Sequence, residues 1–134
     1  MSTKEKRLGN TDLIKLVESK FVKEQKIDSV NENNRLEVGD ILRIGYTIFE
    51  GSKERTQYFE GLVICKQNSG LGKSFTLRRT VQGIGVEQVF LLNSPKILSI
   101  TKKQASKVRR AKLYFLRGLT GKATRLKRKF NSIR

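Results

Sequence analysis

The 134-residue sequence has no histidine, one cysteine, one proline and no acidic residue after Glu87. Without histidine, a nucleophile lacks its usual base and a metal lacks an imidazole ligand. Cys65 cannot form an internal disulfide. It lies in the apolar run Leu62-Val63-Ile64-Cys65, which reads as a buried small residue in a reducing compartment. Glu50, Glu54, Glu60 and Glu87 are scattered over turns and strands, so no general acid–base site assembles and neither an enzyme, a cofactor nor a metal is expected. Glu60 and Glu87, set among apolar neighbours, are expected to anchor basic or backbone donors. No stretch reaches the roughly 20 consecutive apolar residues of a spanning helix. The opening MSTKEKR leads into no apolar signal region, and Glu5, Asp12 and Glu18 argue against a transit peptide. The chain is therefore expected to work where it is made.

What is abundant is positive charge, and it is placed. The chain carries +17, of which +13 falls between Thr101 and Arg134, leaving +4 for residues 1–100. The cations of that segment are Lys102, Lys103, Lys107, Arg109, Arg110, Lys112, Arg117, Lys122, Arg125, Lys127, Arg128, Lys129 and Arg134, with no acid among them. On a solvated helix, basic side chains are normally interleaved with acids that relieve repulsion. An acid-free segment settles against a polyanion, nucleic acid first and a membrane surface second. Leu126 and Phe130 make too thin an apolar face for an interfacial helix, so no membrane partner is expected. Lys and Arg contacts to phosphate give affinity and register without reading sequence. Tyr114 and Phe115 lie between Lys112 and Arg117. One ring there could stack on an unpaired base while the other packs inward, or both could anchor the tail.

Hydrophobic periodicity divides the chain. Leu13, Ile14, Val17 and Phe21 recur at helical spacing within residues 11–23, with Asn10 or Thr11 as cap. Residues 24–37 show no period and read as a connector. From Val38 the period becomes two. Leu42, Ile44, Tyr46 and Ile48 share one strand face, and a second strand over about 56–66 ends in a run expected to be buried on both sides. SFTLRRTV, VEQVFLL and KILSIT supply three more strands, separated by turns at Asn68–Gly72, Gln82–Gly85 and Asn93–Pro95. Five short strands in so short a stretch predict a mainly β chain built on a small antiparallel barrel. Beyond Thr101, VRRAKLYFLR and GKATRLKRKF have helical spacing or helix-forming composition, so the basic extension is expected to be partly helical and to order on its partner. The expected organisation is 1–37 helix and connector, 38–101 barrel, 102–134 basic extension.

Two motifs imitate nucleotide sites. Gly72-Lys73-Ser74 resembles the end of a phosphate-binding loop, but Gln67 stands where the first glycine belongs, a strand follows instead of a helix, and no Asp follows Asp40 to hold magnesium. Gly83-Ile84-Gly85 lacks the third glycine and the helix. Both read as turns.

Three groups of residues together resemble a known family. They are Phe59-Glu60-Gly61-Leu62-Val63-Ile64; Gly85-Val86-Glu87 leading to Val89-Phe90 and Asn93-Ser94-Pro95; and Val108-Arg109-Arg110-Ala111-Lys112-Leu113-Tyr114-Phe115-Leu116-Arg117 followed by Gly121-Lys122-Ala123. Their order and spacing resemble the bacterial-type large-subunit ribosomal protein family nineteen across about residues 10–128. The resemblance implies an SH3-like barrel with an N-terminal helix and a C-terminal extension that follows ribosomal RNA. It also implies a place where the two subunits meet, with large-subunit RNA, neighbouring large-subunit proteins and small-subunit RNA at an intersubunit bridge as partners. Arg109, Arg110, Lys112, Arg117 and Lys122 carry over as RNA contacts. Lys102, Lys103, Lys107, Arg125, Lys127, Arg128 and Lys129 join them by charge, and Arg78 and Arg79 are candidates from the barrel. Gly118-Leu119-Thr120 departs from the family's polar charged pair, and the end RLKRKFNSIR is more basic than is usual there. The function implied is a structural constituent of the large ribosomal subunit that supports translation. A free-standing RNA-binding chaperone or regulator is the alternative. The implied location is the ribosome of a bacterial cytoplasm or an organelle. The Asn, Lys and Ile content suggests an AT-rich genome, and the plastid stroma is favoured over the mitochondrial matrix.

Overall fold

The computed structural model describes residues 9–24 (side chains to Phe21), 36–67 and 70–130. Most of the expected connector and the last four residues lie outside the described residues. Helix α1 spans Asn10–Glu24, as the 3.6-residue spacing requires. Its apolar side chains stay about half exposed, including Leu13, Ile14, Val17 and Phe21. The helix meets the remainder of the fold near a 3-10 turn at Gly70–Gly72, where Glu18 lies beside Gly70.

Five antiparallel strands follow: β1 Ile41–Glu50, β2 Lys53–Gln67, β3 Ser74–Val81, β4 Ile84–Leu91 and β5 Ile97–Gln104. Their spatial order is β4-β3-β2-β1-β5. The inward positions of the alternating pattern build one core from Leu42, Ile44, Phe59, Val63, Phe75, Leu77, Phe90 and Ile97. Tyr46 on β1 and Phe90 on β4 have ring centroids 5.5 Å apart. Three strand spacings across a flat sheet would separate them by roughly 14 Å, so the sheet is rolled until its distant strands share a core. The roll is barrel-like, but the ladder does not close: β4 and β5 remain edges. On the β4 edge, Ile84, Val89 and Leu91 are exposed at 68%, 63% and 52%. The β5 edge carries Lys102 and Lys103.

The turns follow residue chemistry. Val81 pairs with Ile84 across Gln82 and Gly83, both with positive φ, 50° and 79°. That two-residue geometry matches the right-handed twist of the strands and favours glycine. Ser74 opens a strand, not a helix, which removes the phosphate-loop reading of Gly72-Lys73-Ser74. Strand β2 serves two partners, pairing with β1 from Lys53 to Leu62 and with β3 from Leu62 to Gln67. Its register with β3 slips between Val63 and Cys65. The slip lets Val63 enter the main core while Ile64 and Cys65 build a second cluster on the outer side of the sheet. The expectation that this run is buried on both sides is thereby met, and Cys65 is a packed thiol whose Sγ lies 3.3 Å from Thr76 Oγ1 as hydrogen-bond donor.

The extension is partly helical, as expected, but only in 3-10 form. No α-helix forms after β5 among the described residues; the only helical pieces there are 3-10 turns at Tyr114–Gly118 and Gly121–Thr124. The dense like charge disfavours a continuous helix, and Gly118 and Gly121 interrupt it. Tertiary contact then decides the local geometry.

Candidate nucleic-acid interface

The extension is a loop tied at both ends. Lys107 N–H donates to Lys127 O and Lys129 N–H to Ala105 O, each at 2.9 Å, around an isolated bridge between Ser106 and Arg128. Between these ends, Leu113 and Leu116 lie three residues apart, the spacing that aligns side chains in a 3-10 turn. Both are buried against Ile64 and Cys65, with Val38, Leu62, Val108 and Leu126 around them. Leu113 N–H donates to Ile64 O at 2.8 Å. The apolar residues that hold the extension are therefore Leu113 and Leu116. Tyr114 and Phe115 are about 40% exposed, so both rings keep accessible surface beside the buried leucines. The Arg117 guanidinium lies 4.7 Å from the Tyr114 ring centre and that of Arg110 lies 4.9 Å from Phe115.

Ion pairs sort the predicted RNA-contacting residues into two sets. Glu87 accepts Arg117 Nε at 2.8 Å on Oε1 and Arg117 Nη2 at 2.7 Å on Oε2. The same Oε1 accepts Arg78 Nη1 at 2.8 Å. Gly85 makes this possible, because a Cβ there would collide with the Arg78 guanidinium. The hydrogen bonds from Arg117, and then from Arg78, hold the Glu87 carboxyl below its ordinary value against the opposing cost of burial, and Glu87 in turn raises the Arg117 guanidinium. Glu87 thus fulfils the expected anchoring of basic donors; Glu60 is exposed. Lys102 Nζ lies 2.8 Å from Oδ2 of the buried Asp40, an oxygen that also accepts Glu37 N–H at 2.9 Å. Lys129 reaches Glu37 at 4.0 Å, and Arg128 Nε donates to Gln104 Oε1 at 2.8 Å.

The other candidates are exposed and take no ion pair among the described residues: Arg79, Lys103, Lys107, Arg109, Arg110, Lys112, Lys122, Arg125 and Lys127. Most belong to the tied loop, which presents them on one continuous stretch of backbone laid over β2. Arg79 adds a cation from β3, its guanidinium 4.4 Å above the Phe59 ring centre. Arg78, Arg117 and Lys102 have the composition of phosphate ligands, yet their charge is directed to internal carboxylates. No residue composition distinguishes these sets; Glu87 lies 30 residues from Arg117, beyond any local spacing signal. Among the described residues, no three His, Cys, Asp or Glu side chains gather as a metal site, and no helix is long and apolar enough to cross a membrane.

Comparison with known proteins places this geometry in context. The family described as Ribosomal protein L19 matches residues 12–129 of the chain. A protein of Phaeodactylum tricornutum (strain CCAP 1055/1), named Large ribosomal subunit protein bL19c, is 50% identical over 124 residues, covering 92% of this chain and 98% of that protein. A Rhodomonas salina protein of the same name is 50% identical over 111 residues, 82% of this chain and 91% of that one. In Trichodesmium erythraeum (strain IMS101), Large ribosomal subunit protein bL19 is 46% identical over 120 residues, 90% of this chain and 94% of its own length.

Proposed function

The chain belongs to the ribosomal protein L19 family, and on that footing we propose that it is a structural constituent of the large ribosomal subunit that binds ribosomal RNA through its basic extension. It is a structural component, not an enzyme. The observation that carries the RNA-binding reading is the tied, acid-free loop of residues 105–129, most of whose exposed cations take no internal carboxylate among the described residues, Arg117 and Lys129 excepted, while Arg78, Arg117 and Lys102 hold the scaffold. Cations fixed on a packed loop neutralise phosphates with less ordering cost than a disordered tail, and RNA segments then approach closely.

The RNA-contacting set is Arg79, Lys103, Lys107, Arg109, Arg110, Lys112, Lys122, Arg125 and Lys127, with Arg128 and Lys129 at the loop base. Arg78, Arg117 and Lys102 act mainly by positioning these residues. The partners are large-subunit RNA, neighbouring large-subunit proteins and, at the face where the subunits meet, small-subunit RNA at a bridge. The plastid stroma is the favoured compartment; high identity to the Phaeodactylum and Rhodomonas proteins and the Asn, Lys and Ile content support it.

The test is sedimentation of an extract on sucrose gradients at moderate and then high salt. The chain is expected with the large subunit and intact ribosomes at moderate salt, and a variant carrying R109E, R110E and K112E is expected to be depleted from both. Recovery of the wild-type chain only in light fractions, or full occupancy by the variant, refutes the reading.

A further inference from the structure

A cavity of about 390 Å³ opens within the tied loop, lined only by residues of the extension. Its size falls at the low end of the roughly 300–1,000 Å³ of ligand sites. Half-buried Val108 and Leu126, buried Leu113 and exposed Phe115 make its wall apolar. Lys107, Arg109 and Arg110 bring cations to it, none of them in an ion pair among the described residues. Among the described residues no acid and no neutral polar side chain lines it. The backbone adds donors. Lys107 N–H and Leu113 N–H are taken by Lys127 O and Ile64 O, but the N–H groups from Val108 to Lys112 between them make no backbone hydrogen bond among the described residues. A run of unspent amide donors beside three cations suits an anion.

We propose that this cavity receives one unpaired nucleotide of the bound RNA, its base against Phe115, a reading that rests on the RNA-binding function proposed above. An aromatic ring takes the face of any base, and an arginine plane can join the same stack. The Arg110 guanidinium lies 4.9 Å from the Phe115 ring centre and takes no ion pair among the described residues, so it can swing onto the base. Tyr114 differs, because the guanidinium over its ring is that of Arg117, which both oxygens of Glu87 hold. Stacking thus falls to Phe115, and Tyr114 stays with the scaffold. Lys107 and Arg109, with the open amides, take the phosphates on either side of the base. An apolar protein side chain would fill the wall and leave the cations and the amide donors uncompensated. With no neutral polar side chain to read a base edge, the site accepts purines and pyrimidines alike.

The experiment uses the full-length chain assembled into large subunits, with bases of the RNA probed by dimethyl sulfate and a carbodiimide. Phe115→Ala removes the ring from an exposed position, and Phe115→Tyr keeps it. The alanine variant is expected to expose one unpaired nucleotide, its reactivity rising on the order of ten-fold, while its other protections, and all those of the tyrosine variant, stay as in wild type. If the alanine variant leaves every protection intact, the cavity is not a nucleotide site although RNA binding stands. If it loses every protection together, the loop has come away, and ultraviolet cross-linking of wild-type subunits decides. An adduct of Phe115 with one nucleotide then upholds the site, and adducts confined to other residues overturn it. If the wild-type chain protects no large-subunit RNA, the function proposed above fails and this inference with it. A photoreactive phenylalanine analogue at position 115 that captures a neighbouring protein instead of RNA also overturns it.

Discussion

Replacing Leu116 with alanine should detach the extension and leave the sheet folded. Leu116 is 2% exposed and packs with Leu113, Ile64 and Cys65, the four buried members of the outer cluster. Buried Leu→Ala substitutions cost about 2–5 kcal/mol, with the lower end applying where surroundings can collapse. This cluster lies under a loop with exposed neighbours, so the cost should be about 2–3 kcal/mol, an increase of roughly 30- to 150-fold in local opening at 1.4 kcal/mol per factor of ten. Native-state hydrogen exchange reads it directly. The amides of Leu113 and Leu119, which donate to Ile64 O and Leu116 O, should exchange faster by that factor, while amides of β1 and β3 keep their protection. Affinity for RNA should fall only by the fraction of chains whose loop is open. Unchanged exchange at Leu113 and Leu119, or equal loss of protection throughout the sheet, would refute the role assigned to this cluster.

Glu87→Gln should lower the melting temperature at pH 7, because a neutral amide cannot hold Arg117 and Arg78 together. Glu87 titrates below its ordinary value of 4.5 when folded, so its contribution is present above that value and disappears as pH falls through the folded pKa. The gap between wild type and variant should therefore close in acid, and a gap that widens on acidification would contradict the assignment. Changing Arg109, Arg110 and Lys112 together to Gln should flatten the plot of log affinity against log salt by about 2, at roughly 0.7–0.9 per lost phosphate contact; an unchanged slope would show that these side chains do not meet phosphate. Lys102→Met should destabilise the fold by about 2–4 kcal/mol in denaturant titration, since Asp40 is 1% exposed and would lose its cation, and the salt slope should barely move.

The sheet was legible in the sequence because its signals are local. Alternation in ILRIGYTIF and SFTLRRTV, and a Gln-Gly pair between the latter and β4, fix strands and turn with no knowledge of their partners. The spacing of Leu13, Ile14, Val17 and Phe21 likewise suffices for α1. The incomplete closure was not visible, because it depends on how far β5 follows β1, and that register shifts twice. The 3-10 form of the extension was hidden for a different reason. VRRAKLYFLR satisfies a helical spacing, but the contact that decides its shape is Leu113 on Ile64, 49 positions earlier. The basic segment pointed to a polyanion by composition alone. Which cations stay with the protein depends on Asp40 and Glu87, acids that look no different in sequence from Glu54 or Glu60.

The open β4 edge bears on how free copies of this chain behave towards one another. Ile84, Val89 and Leu91 are exposed there, and the strand's one acid is engaged by two arginines, so the edge lacks the unpaired charges that usually discourage strand-to-strand stacking. Mutual repulsion from +17 then becomes the main barrier to self-association, and that barrier is long-ranged only in dilute salt. Raising ionic strength from 0.15 M to 1 M shortens the screening length from about 8 Å to about 3 Å. A high-salt wash therefore lets these edges meet. Orphan copies are best kept dilute, or given a polyanion, until assembly.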